Sequence, residues 1–235
     1  MLAIFRREMR SYFTGVIGYA FLVIYLVVAG LSFCYTTLFS MTADVSSHFV
    51  IMLIFSAIIL PILTMKSFSE ERKAKTEQLI LTAPVSLPAM IIGKFLAAYS
   101  MFAMATVFTS LYFFILPIYG NLEIPTLIGN VIALLLVGMV FISIGLFVSS
   151  LTENQLSAAV GTIAIILGLL GAGILGTLIP TEYWARFVFD ALSVYSRFQT
   201  FTAGYFDLPS FIYYVSLSAL FLYFTFRIYD RRRYN

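Results

Sequence analysis

The chain alternates between long stretches with no charged side chain and short charged punctuation. The charge-free runs are Ser11 to Ala43, Val45 to Met65, Phe95 to Leu122, Ile124 to Thr152, Asn154 to Thr181 and Leu208 to Phe226. Each is long enough to cross a bilayer as a helix, which takes about 20 apolar residues. None shows the strict alternation over about ten residues that marks a barrel strand. The pattern predicts an all-α membrane protein with six transmembrane helices, over 15–38, 46–66, 91–118, 126–151, 155–179 and 208–228. Segments 1–14, 67–88 and 180–206 remain for other structures. The run after Arg6, Arg7 and Arg10 is about twice the length of a signal-peptide core and lacks a convincing small-residue cleavage site, so it is expected to stay attached.

Composition agrees with this reading. The 235 residues are 61% hydrophobic and 11% charged, and mean hydropathy is +1.00, whereas about a quarter of the residues in a soluble domain are charged. All but two of the 14 lysines and arginines fall in three places: the N-terminus, the segment between the second and third spans, and the C-terminus. The other two, Arg186 and Arg197, precede the last span together with acidic residues. The positive-inside rule then puts both termini and the segment between spans two and three in the cytoplasm. An even number of crossings is consistent with that.

Within 1–14, Leu2, Phe5, Met9, Tyr12 and Phe13 share one helical face, with Arg6, Arg7 and Arg10 beside it. This reads as a helix lying in the inner interface, or as an ordinary basic flank to the first span. The charged island Glu70-Glu71-Arg72-Lys73-Ala74-Lys75-Thr76-Glu77 opens with Ser67-Phe68-Ser69-Glu70, a capping-box pattern, and good helix formers continue until Pro84 and Pro88. It reads as a short amphipathic helix whose acidic residues and Leu79-Ile80-Leu81 engage a partner, or as a solvated loop. Before the last span, Trp184, Phe187, Val188, Ala191, Leu192, Tyr195 and Phe198 follow helical spacing. They form either a segment dipping into the outer leaflet or an aromatic interfacial belt. Gly168, Gly171, Gly173 and Gly176 enrich the fifth span in small residues, for close packing or for a hinge.

Several functions lack their residues. Ionisable groups persist inside a bilayer only for a task, because each costs about 3 kcal/mol or more there. The six runs contain none apart from His48, which disfavours an ion-coupled carrier. A single Cys34, expected in mid-span, and the single His48 give no metal site and no intramembrane protease. Gly93-Lys94 is followed by Phe95 and preceded by Pro88 where a phosphate-binding loop needs its first glycine, so the chain is expected to hydrolyse no nucleotide. No catalytic residue, metal ligand, bound cofactor or nucleic-acid partner is expected. Work would have to arrive from a separate protein at the island.

Three motifs carry a family resemblance. The run from Glu70 to Ser86 followed by Gly93-Lys94, the run Gly145-Leu146-Phe147-Val148-Ser149-Ser150-Leu151-Thr152-Glu153-Asn154-Gln155, and the stretch Tyr195 to Gly204 together resemble type-2 ABC exporter permeases. The last two resemble the gliding-motility-associated branch. Lys75 stands where the family usually has glycine, and Gln78 where leucine is common. The resemblance implies a non-enzymatic half-transporter of the bacterial cytoplasmic membrane, with an N-terminal elbow helix and a coupling helix in 67–88. It also implies re-entrant helices at 180–206 near an outer gate, with Trp184, Phe187, Tyr195 and Phe198.

The coupling element would comprise Glu70, Glu71, Thr76, Glu77, Leu79, Leu81 and Pro84, docked on an ABC ATPase that binds ATP and magnesium. A second permease, the same or related, would complete the unit. The alternative is a membrane anchor for an ATPase-driven surface or motility machine, with a further partner that has a large extracytoplasmic domain.

Overall fold

The structure is a computed structural model that describes residues 1–41, 44–76, 86–118, 124–178, 193–202, 204 and 207–234, with backbone only at 173–178 and 234. It is all-α. In chain order the helices are α1 (Leu2–Thr14), α2 (Val16–Phe33), α3 (Ser46–Thr64), α4 (Lys66–Lys73), α5 (Leu87–Ser110), α6 (Ile124–Leu151), α7 (Gln155–Leu178), α8 (Val194–Thr202) and α9 (Leu208–Tyr234). A π-helical turn (Cys34–Leu38) extends α2, and a 3-10 turn (Leu111–Ile118) extends α5. Six of these helices are long and apolar enough to cross a membrane: α2, α3, α5, α6, α7 and α9. Cys34 opens the π-helical turn at the end of α2 rather than lying in mid-span.

The spans are buried to different degrees. α6 is the central post, packing against α3, α5, α7, α8, α9 and α4. Two of its glycines make this closeness possible. A Cβ at Gly138 would overlap the ring of Phe102 on α5, and one at Gly145 would overlap the Thr64 side chain on α3. Nearly the whole middle of α6, from Val137 to Leu146, is therefore buried.

Close packing also involves the fifth span, at a glycine that the sequence enrichment did not single out: a Cβ at Gly161 would approach Val148 of α6 to 3.2 Å. A Cβ at Gly168 or Gly171 would meet nothing within 4 Å, so these two glycines serve no helix contact within the described part of this chain. Gly173 and Gly176 continue the same helix.

At the end of the bundle away from the termini, Phe33, His48, Phe49 and Phe113 form an aromatic cluster. The His48 imidazole takes its hydrogen-bond partner from Ser32, with Oγ to Nδ1 at 3.1 Å. No group of three or more potential metal ligands occurs among the described residues. Also at this end, α8 lies against α6 and α7, with Phe198 and Phe201 buried. Gly204 has a positive φ of 79°, and a Cβ on it would come to 3.0 Å from the Thr126 hydroxyl, while a Cβ on Gly129 would come to 2.9 Å from the Phe201 carbonyl oxygen. Glycine suits both constraints, because it alone adopts this backbone freely and has no Cβ.

Candidate functional site

The opposite end of the bundle carries both termini and the charged island. α1 is amphipathic: Arg6, Arg7 and Arg10 are exposed, while Ile4, Met9, Tyr12 and Phe13 pack against the core. Leu2, which the helical face groups with them, is 73% exposed. α1 ends at Gly15, whose extended backbone separates it from α2. It lies along α5, where Gly93 leaves room for Ile4: a Cβ there would approach the Ile4 side chain to 3.1 Å.

The next residue along α5 after Gly93 is Lys94. Its residue exposure is 2%, so its ammonium is buried inside a membrane-type helix, where an unpaired charge would be costly. It is fully engaged. Nζ donates to Glu71 Oε1 at 2.8 Å, to Glu8 Oε1 at 3.2 Å and to the Ser67 carbonyl at 2.6 Å, and it lies 5.0 Å from the centre of the Phe68 ring.

The same two carboxylate oxygens also accept from Arg7 Nη2, at 2.7 Å for Glu8 and 2.8 Å for Glu71. Two cations and two anions therefore alternate in a ring with no net charge. The ring joins α1, α4 and α5. Burial works against the Arg7 charge, yet the hydrogen bonds and charges of Glu8 and Glu71 hold its pKa above the ordinary arginine value. Burial also raises the phenol pKa of Tyr12, beside the ring on α1.

The other side of α4 is held by α6. The helix breaks at Met65, one turn after Pro61, and a new helix begins at Lys66. Ser67 does not cap it, contrary to the capping-box expectation. The N-cap position falls on Met65, and no side chain of that residue bonds the first turn. The acceptor comes from another helix: Ser149 Oγ on α6 takes the N–H groups of Phe68 and Ser69, both at 3.1 Å, and donates its own proton to the Met65 carbonyl at 3.0 Å. One hydroxyl uses its donor and both lone pairs on this junction.

Further links follow along the end of α6. Arg72 donates to the Leu151 carbonyl at 2.8 Å and pairs with Glu153 at 3.1 Å. Arg232, on α9, donates to the Ser150 carbonyl at 2.8 Å and lies over Tyr229, whose ring is 4.9 Å from that of Phe68. The first two sequence motifs are thus halves of one contact.

α4 is shorter than its composition suggests. Helix formers continue towards Pro84, but the helix ends at Lys73 because Lys75 adopts a left-handed backbone, φ 56°. The N–H of Thr76 returns to the Glu71 carbonyl at 3.0 Å and that of Lys75 to the Arg72 carbonyl, also at 3.0 Å. This pair of bonds is the Schellman closure of a helix, with lysine at the position where glycine is favoured. Lys75, which departs from the expected glycine, keeps the glycine's backbone shape.

The sequence-derived site residues are dispersed. Glu71 faces inward and pairs its carboxylate with Lys94 and Arg7. Glu70 is exposed and near Lys66, at 3.8 Å, and Thr76 is exposed at the closure. Glu77, Leu79, Leu81 and Pro84 lie outside the described residues, as do Trp184 and Phe187. Tyr195 packs at the edge of the core and Phe198 is fully buried. Sequence reasoning missed Glu8, Arg7 and Ser149 as partners of the island. The available signal was Lys94 itself, a lysine that α5 carries well inside its length.

The profile described as ABC-2 family transporter protein matches residues 2–211, from α1 into the first turn of α9. The chain belongs to this family. As an ABC-2 transporter protein it is a multi-pass membrane permease, and the ring and the Ser149 junction both lie within the matched region. No curated protein matches the ABC-2 chain.

Proposed function

We propose that this ABC-2 protein is the permease half of an ATP-driven exporter in a bacterial cytoplasmic membrane. A separate ABC ATPase with its ATP and magnesium docks on the segment that α4 leads into, and a second permease, the same or related, completes the translocation path. The charged end, with both termini, faces the cytoplasm. α1 is the elbow helix, and residues 67–88 form the coupling segment.

The observation that supports this reading is the anchorage of α4. A solvated loop between two spans needs no buried ion pair. Here one eight-residue helix is tied to α1 and α5 through the Lys94 ring, to α6 through Ser149 and to α9 through the contact of the Phe68 and Tyr229 rings. A push on the segment after Lys75 would reach four helices together. That is the property a transmission point requires. Such coupling works only if the ATPase binds two permease states with unequal affinity.

The test uses purified permease co-expressed with its ATPase and reconstituted in vesicles. Substituting Glu77→Ala together with Leu79→Ala is expected to leave membrane insertion intact while lowering ATPase co-purification and substrate-stimulated turnover. Unchanged assembly and turnover in that double variant would remove the segment from the mechanism.

A further inference from the structure

A cleft of about 540 Å³ opens between α1, the first turn of α2 and the α3–α4 junction, a size typical of small-molecule sites. Its walls differ in chemistry. Tyr12, Val16, Ile17 and Leu63 make one side largely apolar, and the other side is charged. Among the described lining residues, the cations Arg7, Lys66 and Lys94 face the carboxylates Glu8, Glu70 and Glu71, so the wall has no net charge.

These charges are not equally available. The four members of the Lys94 ring satisfy one another and form the back of the cleft. Lys66 and Glu70 are different. They are one helical turn apart at 3.8 Å, with side chains 41% and 55% exposed. A long, exposed pair of this kind is weak and is readily exchanged for outside partners.

We propose that this cleft holds the headgroup of a zwitterionic phospholipid bearing a primary amine, of the phosphatidylethanolamine type. The phosphate takes Lys66, the ammonium takes Glu70, and an acyl chain leaves along Val16 and Ile17. The exit is apolar and open: Val16, Val23 and Val27 are exposed on α2 at helical spacing, so the apolar wall continues onto a face suited to lipid. An anionic headgroup would bring phosphate to Lys66 but no amine to Glu70, leaving that carboxylate without a cation beside a second negative charge. A choline headgroup has no N–H to donate, and quaternary ammonium groups are held by aromatic faces. Tyr12 is the one aromatic residue among the described lining residues.

The experiment is independent of the ATPase and of the export reading. Full-length permease is placed in nanodiscs with equal parts of phosphatidylethanolamine, phosphatidylcholine and phosphatidylglycerol, then released for native mass spectrometry. Wild type is expected to retain one phosphatidylethanolamine per chain, about tenfold over either competitor, as a charge-assisted hydrogen bond implies. Glu70→Gln and Lys66→Gln are each expected to bring retention down to the bulk ratio with thermal unfolding otherwise preserved, and Ser11→Trp, which fills the mouth, to do the same. Short-chain phosphatidylethanolamine is expected to raise the thermal midpoint, whereas soluble phosphoethanolamine leaves it unmoved. Equal retention of phosphatidylglycerol or phosphatidylcholine, unchanged retention in both charge variants, or a shift by soluble phosphoethanolamine alone would overturn the proposal.

Discussion

Lys94 and Glu71, 23 positions apart in sequence, are joined by an ion pair of 2.8 Å, and the lysine side chain is only 1% exposed. The pair fixes the start of the third span to α4. Arg7 and Glu8 close it into a ring, so that neither charge is buried alone. Breaking such a pair from one side usually costs about 3–5 kcal/mol, because the remaining charge is stranded.

Lys94→Met is therefore expected to lower the thermal midpoint of the purified protein sharply, since Glu8 and Glu71 then face each other with only Arg7 between them. Glu71→Gln should behave similarly. Glu8→Gln should cost less, as its contact with Lys94 is longer, 3.2 Å against 2.8 Å. Thermal unfolding in one detergent checks the order. Equal loss in all three variants would show that Glu8 matters as much as Glu71.

Ser149→Ala would leave the N–H groups of Phe68 and Ser69 without their acceptor in a buried junction. The expected destabilisation is about 1–3 kcal/mol, the cost of an unsatisfied buried group. Hydrogen exchange should rise at those two amides while the middle of α6 stays protected. Protection unchanged at Phe68 and Ser69 would mean another acceptor replaces the hydroxyl.

Lys75→Gly should stabilise the protein by about 1 kcal/mol, because a left-handed residue with a Cβ is strained by roughly 1–2 kcal/mol and glycine is not. Lys75→Val should destabilise, since a β-branched side chain tolerates this backbone least. Comparing the two midpoints gives the sign directly. A glycine variant less stable than wild type would point to an interaction of the lysine side chain that outweighs the strain.

Gly145→Val and Gly138→Val should prevent correct packing of α6, as even a Cβ would overlap Thr64 or Phe102. Gly168→Ala and Gly171→Ala should be neutral or stabilising by up to about 1 kcal/mol in the isolated chain, where glycine costs helix stability and nothing is crowded. Monodispersity on size exclusion separates the two classes. A loss of assembly confined to the Gly168 and Gly171 variants would show that these positions meet another chain.

The sequence by itself determined the class and the six spans. Burial of about 20 consecutive uncharged residues in a bilayer is local physics, readable without knowing any neighbour. It also flagged the charged island, because charge density is local too, while the departure at Lys75 and the motif containing Ser149 came from the family resemblance. Tertiary structure alone decided what those residues do. That Glu71 turns inward, that a serine on the fourth span caps a helix after the second, and that Gly138 and Gly145 sit where Phe102 and Thr64 leave no room for a side chain all depend on which helices meet. Hydrogen bonds and ion pairs between residues tens of positions apart leave no local trace along a chain, whereas the hydrophobic effect that draws each helix into the membrane leaves an uninterrupted apolar run.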